Sequence, residues 1–334
     1  MIISASYKTD IPTFYGEWFS NRLRAGYCKV VNPYNKVVSR VSLRPEDVDG
    51  IVFWTKNIGP FIKRLAEVRD RQIPFIVQHT ITGYPRQLEQ AVVDAPKAVQ
   101  HVREIAEQYG PRVCIWRYDT ILLTTLTPRE FHMDKFAHLA RELEGATDEV
   151  VISFAHVYLK TLRNVNHAAH EFGFDWSDPD ADWKRRLAAE LAAIASAHRI
   201  RLTVCSQPEY LAPGCEEAHC VDAKRLADVA GRPIRAKEKG NRKECRCSEA
   251  KDIGEYDTCP HGCVYCYSVQ NRPLALERYR HHDPMSELLF LPPPGAIEEA
   301  PKPKRVELSL FDDLTDGQQI CQGERRVTQQ HAIE

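Results

Sequence analysis

Three observations in the sequence predict an α/β fold built on a parallel sheet. Six short β-branched or aromatic runs recur over the first 205 residues, helical patterns separate most of them, and the character of the chain changes after residue 205. The runs are IISAS (2–6), IVFWT (51–55), PFIVQHT (74–80), RVCIWRY (112–118), EVVISFA (149–155) and IRLTVC (200–205). Short, nearly continuous apolar runs suit strands buried on both faces. In 60–70, Phe61, Leu65 and Val68 share a helical face. In 96–109, Val99, Val102, Ala106 and Tyr109 do the same, and Pro96 suits a first helical position. Thr127-Pro128 opens 128–144, with Phe136, Leu139 and Leu143 inward, and in 182–198 Trp183, Leu187, Leu191 and Ile194 repeat on one face. Alternating strands and helices imply right-handed crossovers. Six such units allow an open doubly wound sheet or a partial barrel. No G-x-G-x-x-G or P-loop follows any strand, which argues against the nucleotide-binding forms.

The chain has 334 residues, of which 43% are hydrophobic and 27% charged, and its formal net charge is −1. This composition excludes wholesale disorder, collagen-like repeats and coiled coils. No whole-protein field draws in nucleic acid, so any basic patch is local. No apolar run approaches the roughly 18 residues of a membrane span, and the start, MIISASYKTD, lacks a signal peptide's apolar segment. The expectation is a cytoplasmic protein with no membrane partner.

The cysteines are the informative residues. Of 11, Cys28 and Cys114 come early, Cys114 within the apolar VCIW, and Cys321 stands alone in a polar tail. Eight crowd into 205–266. Residues 259–266 read Cys-Pro-His-Gly-Cys-Val-Tyr-Cys, a C-x3-C-x2-C spacing. Three close thiolates suit one face of a 4Fe-4S cluster and leave one iron open, as a catalytic centre requires. Structural zinc draws four ligands, and here the fourth would be His261 or a remote cysteine. Cys205, Cys220, Cys245 and Cys247 make a second set, with Cys215 or His219 to spare, suited to an auxiliary iron–sulfur cluster or to zinc.

In parallel β/α folds the active site forms at the C-terminal strand ends. Those ends are polar here: Ser6, Lys8 and Asp10; Trp54, Lys56 and Asn57; His79, Thr80 and Thr82; Arg117 and Asp119; Ser153, His156 and Lys160; and Cys205. Lys56, Arg117, Asp119 and Lys160 are the catalytic candidates, Thr80 and Ser153 the cofactor-binding ones, and Tyr118, Cys114 and Tyr267 the candidate hydrogen donors. Residues 223–251 hold ten Lys and Arg against four Asp and Glu, a local basic excess that leans toward nucleic acid. LPPPGAIEEAPKPKR opens a proline-rich linker and a mobile tail.

Three cysteines at this spacing with Tyr265 just before the last resemble the radical S-adenosylmethionine superfamily. The resemblance implies that Cys259, Cys263 and Cys266 hold a 4Fe-4S cluster, that its open iron chelates S-adenosylmethionine, and that Tyr265 borders the adenine. It also implies an electron donor such as flavodoxin or ferredoxin, and a six-stranded partial barrel. The superfamily carries its cysteines after the first strand, whereas here they come last. SASYKTDIPTFY, NPYNKVVSRVSL, VFWTKN, IWRYDTILL, ISFAHVYLKT and CRCSEAKDIGEYDTCPHGCVYCYS look like the bacterial family called domain of unknown function eighteen-forty-eight, over roughly residues 1–285, whose members carry such a cysteine cluster at the C-terminal end. The expected fold is therefore a permuted six-unit partial β/α barrel over 1–205, a metal-binding region over 206–285 that completes its mouth, with DIGEY (252–256) the candidate cluster-bearing strand, and a tail over 286–334. In the tail, Glu307 to Asp312 resembles the peptide by which bacterial repair and replication proteins bind the sliding clamp through Leu308, Leu310 and Phe311. The expected function is radical repair or modification of nucleic acid. A radical enzyme acting on a small metabolite or peptide, and a non-catalytic zinc protein that binds nucleic acid, are the alternatives.

Overall fold

A computed structural model describes residues 1–156, 158–240, 242 and 244–290, together with the backbone of 297–298. Eight strands form one sheet: β1 (Ile2–Ala5), β2 (Gly50–Thr55), β3 (Phe75–Thr80), β4 (Cys114–Ile121), β5 (Glu149–Phe154), β6 (Arg201–Val204), β7 (Cys215–Glu217) and β8 (Ala250–Asp252). Their order across the sheet is β7-β6-β5-β4-β3-β2-β1-β8, and every pairing is parallel. The six expected strands are therefore present, and the expected count of six is corrected to eight. The two additions are polar three-residue strands at the sheet's edges, where exposed backbone makes short polar strands favourable. The last strand lies at 250–252, two residues before the expected 252–256.

Alternate residues of each central strand enter different cores. Ile3, Ile51, Phe53, Val77, Trp116, Val150 and Ile152 join the main cluster. Ile2, Val52, Ile76, Ile115 and Val151 join a second, completed by Ala218, Val221, Leu226 and Ile234 from the segment before β8. Helices Ala95–Tyr109, Arg129–Leu143 and Ala181–Ala197 pack their predicted apolar stripes into the main cluster. Asp180 starts the last of these by accepting a bond from Trp183 N at 2.8 Å. The helix expected at 60–70 begins as a 3-10 turn at Gly59–Phe61 and continues as Ile62–Asp70.

An antiparallel hairpin, Tyr27–Val31 with Val37–Ser42, and helices Gly16–Ala25, Leu159–Phe172, Ala223–Ala230 and Arg272–Arg280 were not anticipated. Residues 1–299 make one compact unit, so the region 206–285 is continuous with the sheet through β7 and β8. Among the described residues no helix is long and apolar enough to cross a membrane. The tail peptide around Leu308, Leu310 and Phe311, and Cys321, lie outside the described residues.

Candidate active site

The C-terminal ends of β1 to β6 and of β8 open on one cavity of about 820 Å³. Lys56, Thr80, Arg117, Asp119 and Ser153 line it, and so do Tyr265, the cysteines of the 259–266 loop, and Cys205, Cys220, Cys245 and Cys247. Strand ends and two sets of cysteines far apart in sequence thus share a single mouth.

Two buried carboxylates set the position of the cysteine loop. Asp252 closes β8 and accepts bonds from the Ser4 and Ser6 hydroxyls, both at 2.8 Å, from Tyr7 N at 3.1 Å and from Gly254 N at 3.0 Å, which laces β8 to β1. Asp10 caps the short helix Ile11–Phe14 by accepting from Thr13 N at 2.9 Å. Its second oxygen accepts from Lys56 N at 2.7 Å, Thr55 Oγ1 at 3.1 Å and His261 Nε2 at 2.8 Å. Burial opposes the Asp10 charge, but His261 and the two backbone N–H donors outweigh it and hold the carboxyl below its ordinary range. His261 Nδ1 faces Ala91 O at 3.2 Å, so both ring nitrogens are engaged and His261 serves as a pin rather than as the fourth ligand considered from the sequence. Backbone bonds from Ala91 N to His261 O (2.9 Å) and from Val264 N to Leu88 O (3.0 Å) seat the loop on segment 88–91. Gly262 turns it at φ +73°, where a Cβ would fall 2.5 Å from Arg272 Nε.

The Lys56 ammonium lies 2.9 Å from Glu89 Oε1 and 3.0 Å from the Tyr265 hydroxyl. Tyr265 also donates to Glu89, and Thr82 Oγ1 donates to the same oxygen at 2.8 Å. Burial works against the ammonium, yet the facing Glu89 carboxylate keeps the Lys56 pKa raised. In the same way burial works against the Glu89 charge, and Lys56 keeps that carboxyl lowered. Glu89 had no motif to reveal it: apart from Thr82, its partners Lys56 and Tyr265 are 33 and 176 residues away.

Arg117 links the mouth to the second cysteine set. Its guanidinium pairs with Asp119 (Nε to Oδ2, 3.0 Å), and its Nη1 donates to Gln78 Oε1 and to Cys220 Sγ, both at 3.1 Å. Asp119 in turn accepts from the Ser153 hydroxyl. Cys220 Sγ stands 3.4 Å from Cys205 Sγ, and Cys205, Cys220, Cys245 and Cys247 all pack at the second core. The four expected auxiliary cysteines are therefore brought into one region. The two spares are not with them: Cys215 points to Ala188 O at 3.6 Å, and His219 Nδ1 is held by Arg246 O at 2.8 Å. Burial raises the thiols of Cys259, Cys263 and Cys266, and charge coupling joins them. Among the described residues, no three Cys, His, Asp or Glu side chains already surround one point as ligands of a metal ion.

Other expected residues fall elsewhere. Lys160 is exposed and outside the cavity lining, its ammonium 6.0 Å from the Tyr256 ring centre. Tyr118, bonded to His132 Nδ1 at 3.0 Å, and Cys114 are buried in the main core, so of the three candidate hydrogen donors only Tyr267 lines the mouth. The basic excess of 223–251 is partly consumed in ion pairs: Arg225, 1% exposed, binds Asp148 and Glu149, Lys239 binds Glu249, and Arg246 binds Glu217 and Glu238.

A family model described as a domain of unknown function (DUF1848) matches residues 2–268. The chain belongs to this family. The matched span is shorter than the 1–285 expected from the sequence, yet it runs two residues past Cys266, so both cysteine sets lie within the family's segment. No curated protein and no solved structure matches the chain.

Proposed function

We propose that this protein is a radical S-adenosylmethionine enzyme, with Cys259, Cys263 and Cys266 as ligands of a 4Fe-4S cluster and with a flavodoxin- or ferredoxin-type electron donor. The observation that carries this reading is the C-x3-C-x2-C loop on the strand beside β1, facing polar strand ends across a cavity of about 820 Å³. The eight-stranded sheet is read as a permuted partial barrel. With β8 next to β1, the last strand takes the place that the superfamily gives its first. The donor set suits the group: three half-buried thiols, with His261 tied elsewhere, leave one iron free of protein.

Such a cluster supplies one-electron cleavage of the sulfonium and a 5′-deoxyadenosyl radical for hydrogen abstraction. The chain's own residues orient and shield. Lys56 and Glu89 fix the Tyr265 ring, Asp10 fixes the loop through His261, and Thr80 and Ser153 offer hydroxyls to the cofactor's polar groups. The cavity falls in the range of small-molecule sites.

Nucleic acid is the favoured substrate class because exposed tyrosines frame the mouth. Tyr34 is 94% exposed, Tyr158 44% and Tyr267 39%, and each lines the cavity. Such rings stack on bases of any sequence. The test is anaerobic reconstitution with iron and sulfide, then dithionite and S-adenosylmethionine. Production of 5′-deoxyadenosine is expected, with loss in each single Cys→Ser variant. A reconstituted protein that holds iron and sulfide but never yields 5′-deoxyadenosine refutes the enzyme reading. Absence of salt-dependent DNA binding would point instead to a small metabolite or peptide.

A further inference from the structure

The second cysteine set supports an inference that does not depend on radical chemistry. Cys205 follows β6, Cys220 follows β7, and Cys245 and Cys247 precede β8, so three separate stretches converge on one sulfur cluster. The cluster packs at the end of the smaller core, where Cys220 and Cys247 are buried. One thiol among aliphatic side chains is ordinary packing; four gathered at one core, two with sulfurs 3.4 Å apart and one of these under a guanidinium, are not.

We propose that Cys205, Cys220, Cys245 and Cys247 bind a single tetrahedral zinc ion. Size separates this from the iron–sulfur alternative. Zinc–sulfur bonds of about 2.3 Å put the sulfurs of a tetrahedron about 3.8 Å apart, and the Cys205 and Cys220 sulfurs are 3.4 Å apart. The ligands of a cubane sit on different iron atoms and stand further from one another.

Two donors already face these sulfurs. Arg117 Nη1 donates to Cys220 Sγ at 3.1 Å, and Val221 N donates to Cys247 Sγ at 3.3 Å. Among the described residues no three of these side chains already surround one point, so the site closes as the ion binds. On binding, four S–H bonds are exchanged for four Zn–S bonds, four protons leave to solvent, and no electron is transferred. All four ligands are cysteines, so no coordination position is open and the site is structural. It ties the segment 205–247 to the floor of the mouth through Arg117 and Asp119.

The test uses the full chain with Cys259, Cys263 and Cys266 all changed to Ser, which removes the proposed catalytic cluster. Elemental analysis is expected to find one zinc per chain and no iron. Cobalt exchange should give the intense absorption of a tetrathiolate site, and adding Cys220→Ser and Cys247→Ser should abolish both. In case those additions prevent folding, a mercurial titration of the folded triple variant should release its zinc in step with the remaining cluster thiols. Iron with labile sulfide in the triple variant overturns the single-ion assignment. Metal-free thiols that alkylate freely, or a disulfide between Cys205 and Cys220, overturn the site altogether. Because the triple variant has no catalytic cysteines, these results stand whether or not the wild type makes 5′-deoxyadenosine.

Discussion

The Lys56–Glu89 pair offers the sharpest test of how the mouth is held together. The two side chains are 14% and 4% exposed, with Nζ 2.9 Å from Oε1. At that separation and an effective dielectric of about 20, the gross attraction is about 6 kcal/mol, most of it offset by removing both charges from water. Removing one partner strands the other, so Lys56→Met and Glu89→Leu should each cost about 3–5 kcal/mol. Each should lower the melting temperature by on the order of 10 °C in a domain of this size. The double variant removes both charges together and should be destabilised by far less than the sum. A double-mutant cycle from urea unfolding measures the coupling. Additive single and double variants would show that the two groups do not sense each other and would refute the argument. The cysteine loop gives an independent readout. Glu89 also accepts from Tyr265, so Glu89→Leu should increase alkylation of Cys263 and Cys266 in the native protein, and the double variant should not restore their protection.

Three further outcomes are expected. Asp10→Asn leaves the volume of the site unchanged but removes the charge that receives His261, Lys56 N and Thr55; iron bound after reconstitution should fall several-fold while the melting temperature drops by only a few degrees, and unchanged iron content would sink the pinning role. Arg225→Met should cost about 3 kcal/mol, the lower end for a broken buried pair because Arg201 still reaches Glu149 at 2.7 Å; a urea midpoint equal to wild type would contradict it. Burial pushes His132 down to about 4, below the 6.5 of an exposed histidine, so the unfolded chain binds the extra proton first. Stability should therefore fall as pH drops from about 6.5 to about 4, with up to about 3 kcal/mol from this residue. His132→Gln should flatten that acid limb in urea midpoints taken across the range; an unchanged slope would assign the loss to other groups.

The six central strands were legible because burial on two faces keeps their apolar residues contiguous: Ile2 and Ile3, or Ile51 and Val52, serve opposite cores and still read as one apolar run, with the polar residues mostly toward the strand ends. β7 and β8, with sequences CEE and AKD, have no such run, because each lies at an edge and pairs on one side only. The hairpin at 27–42 carries only a weak signal, the turn NPYNK followed by the partly alternating VVSRVS. Thiol spacing marked the cysteine loop because its three cysteines lie within eight residues of one another in the sequence. Glu89, and the assignment of His261 as a pin rather than a ligand, were hidden because their roles exist only after Lys56, Asp10 and Tyr265 arrive from distant parts of the chain.

Charge pairing inside the mouth bears on what can enter it. Lys8 faces Asp252 at 3.5 Å, Lys56 faces Glu89 at 2.9 Å, and Arg117 faces Asp119. Each of these three cations thus has its own carboxylate, so the pairs leave this part of the wall close to neutral. A neutral wall offers little pull on a polyanion as a whole, and the ion pairs of Arg225, Lys239 and Arg246 remove much of the basic excess that the sequence placed beside it. If nucleic acid is the substrate, affinity must then come mainly from ring stacking on Tyr34, Tyr158 and Tyr267, with a few exposed cations such as Lys160 and Arg242 meeting phosphates. That balance implies a shallow salt dependence, on the order of two or three phosphate contacts, and a preference for single strands or extruded bases, whose faces are open to stack. A steep salt slope with duplex DNA would mean that the binding surface lies elsewhere on the chain.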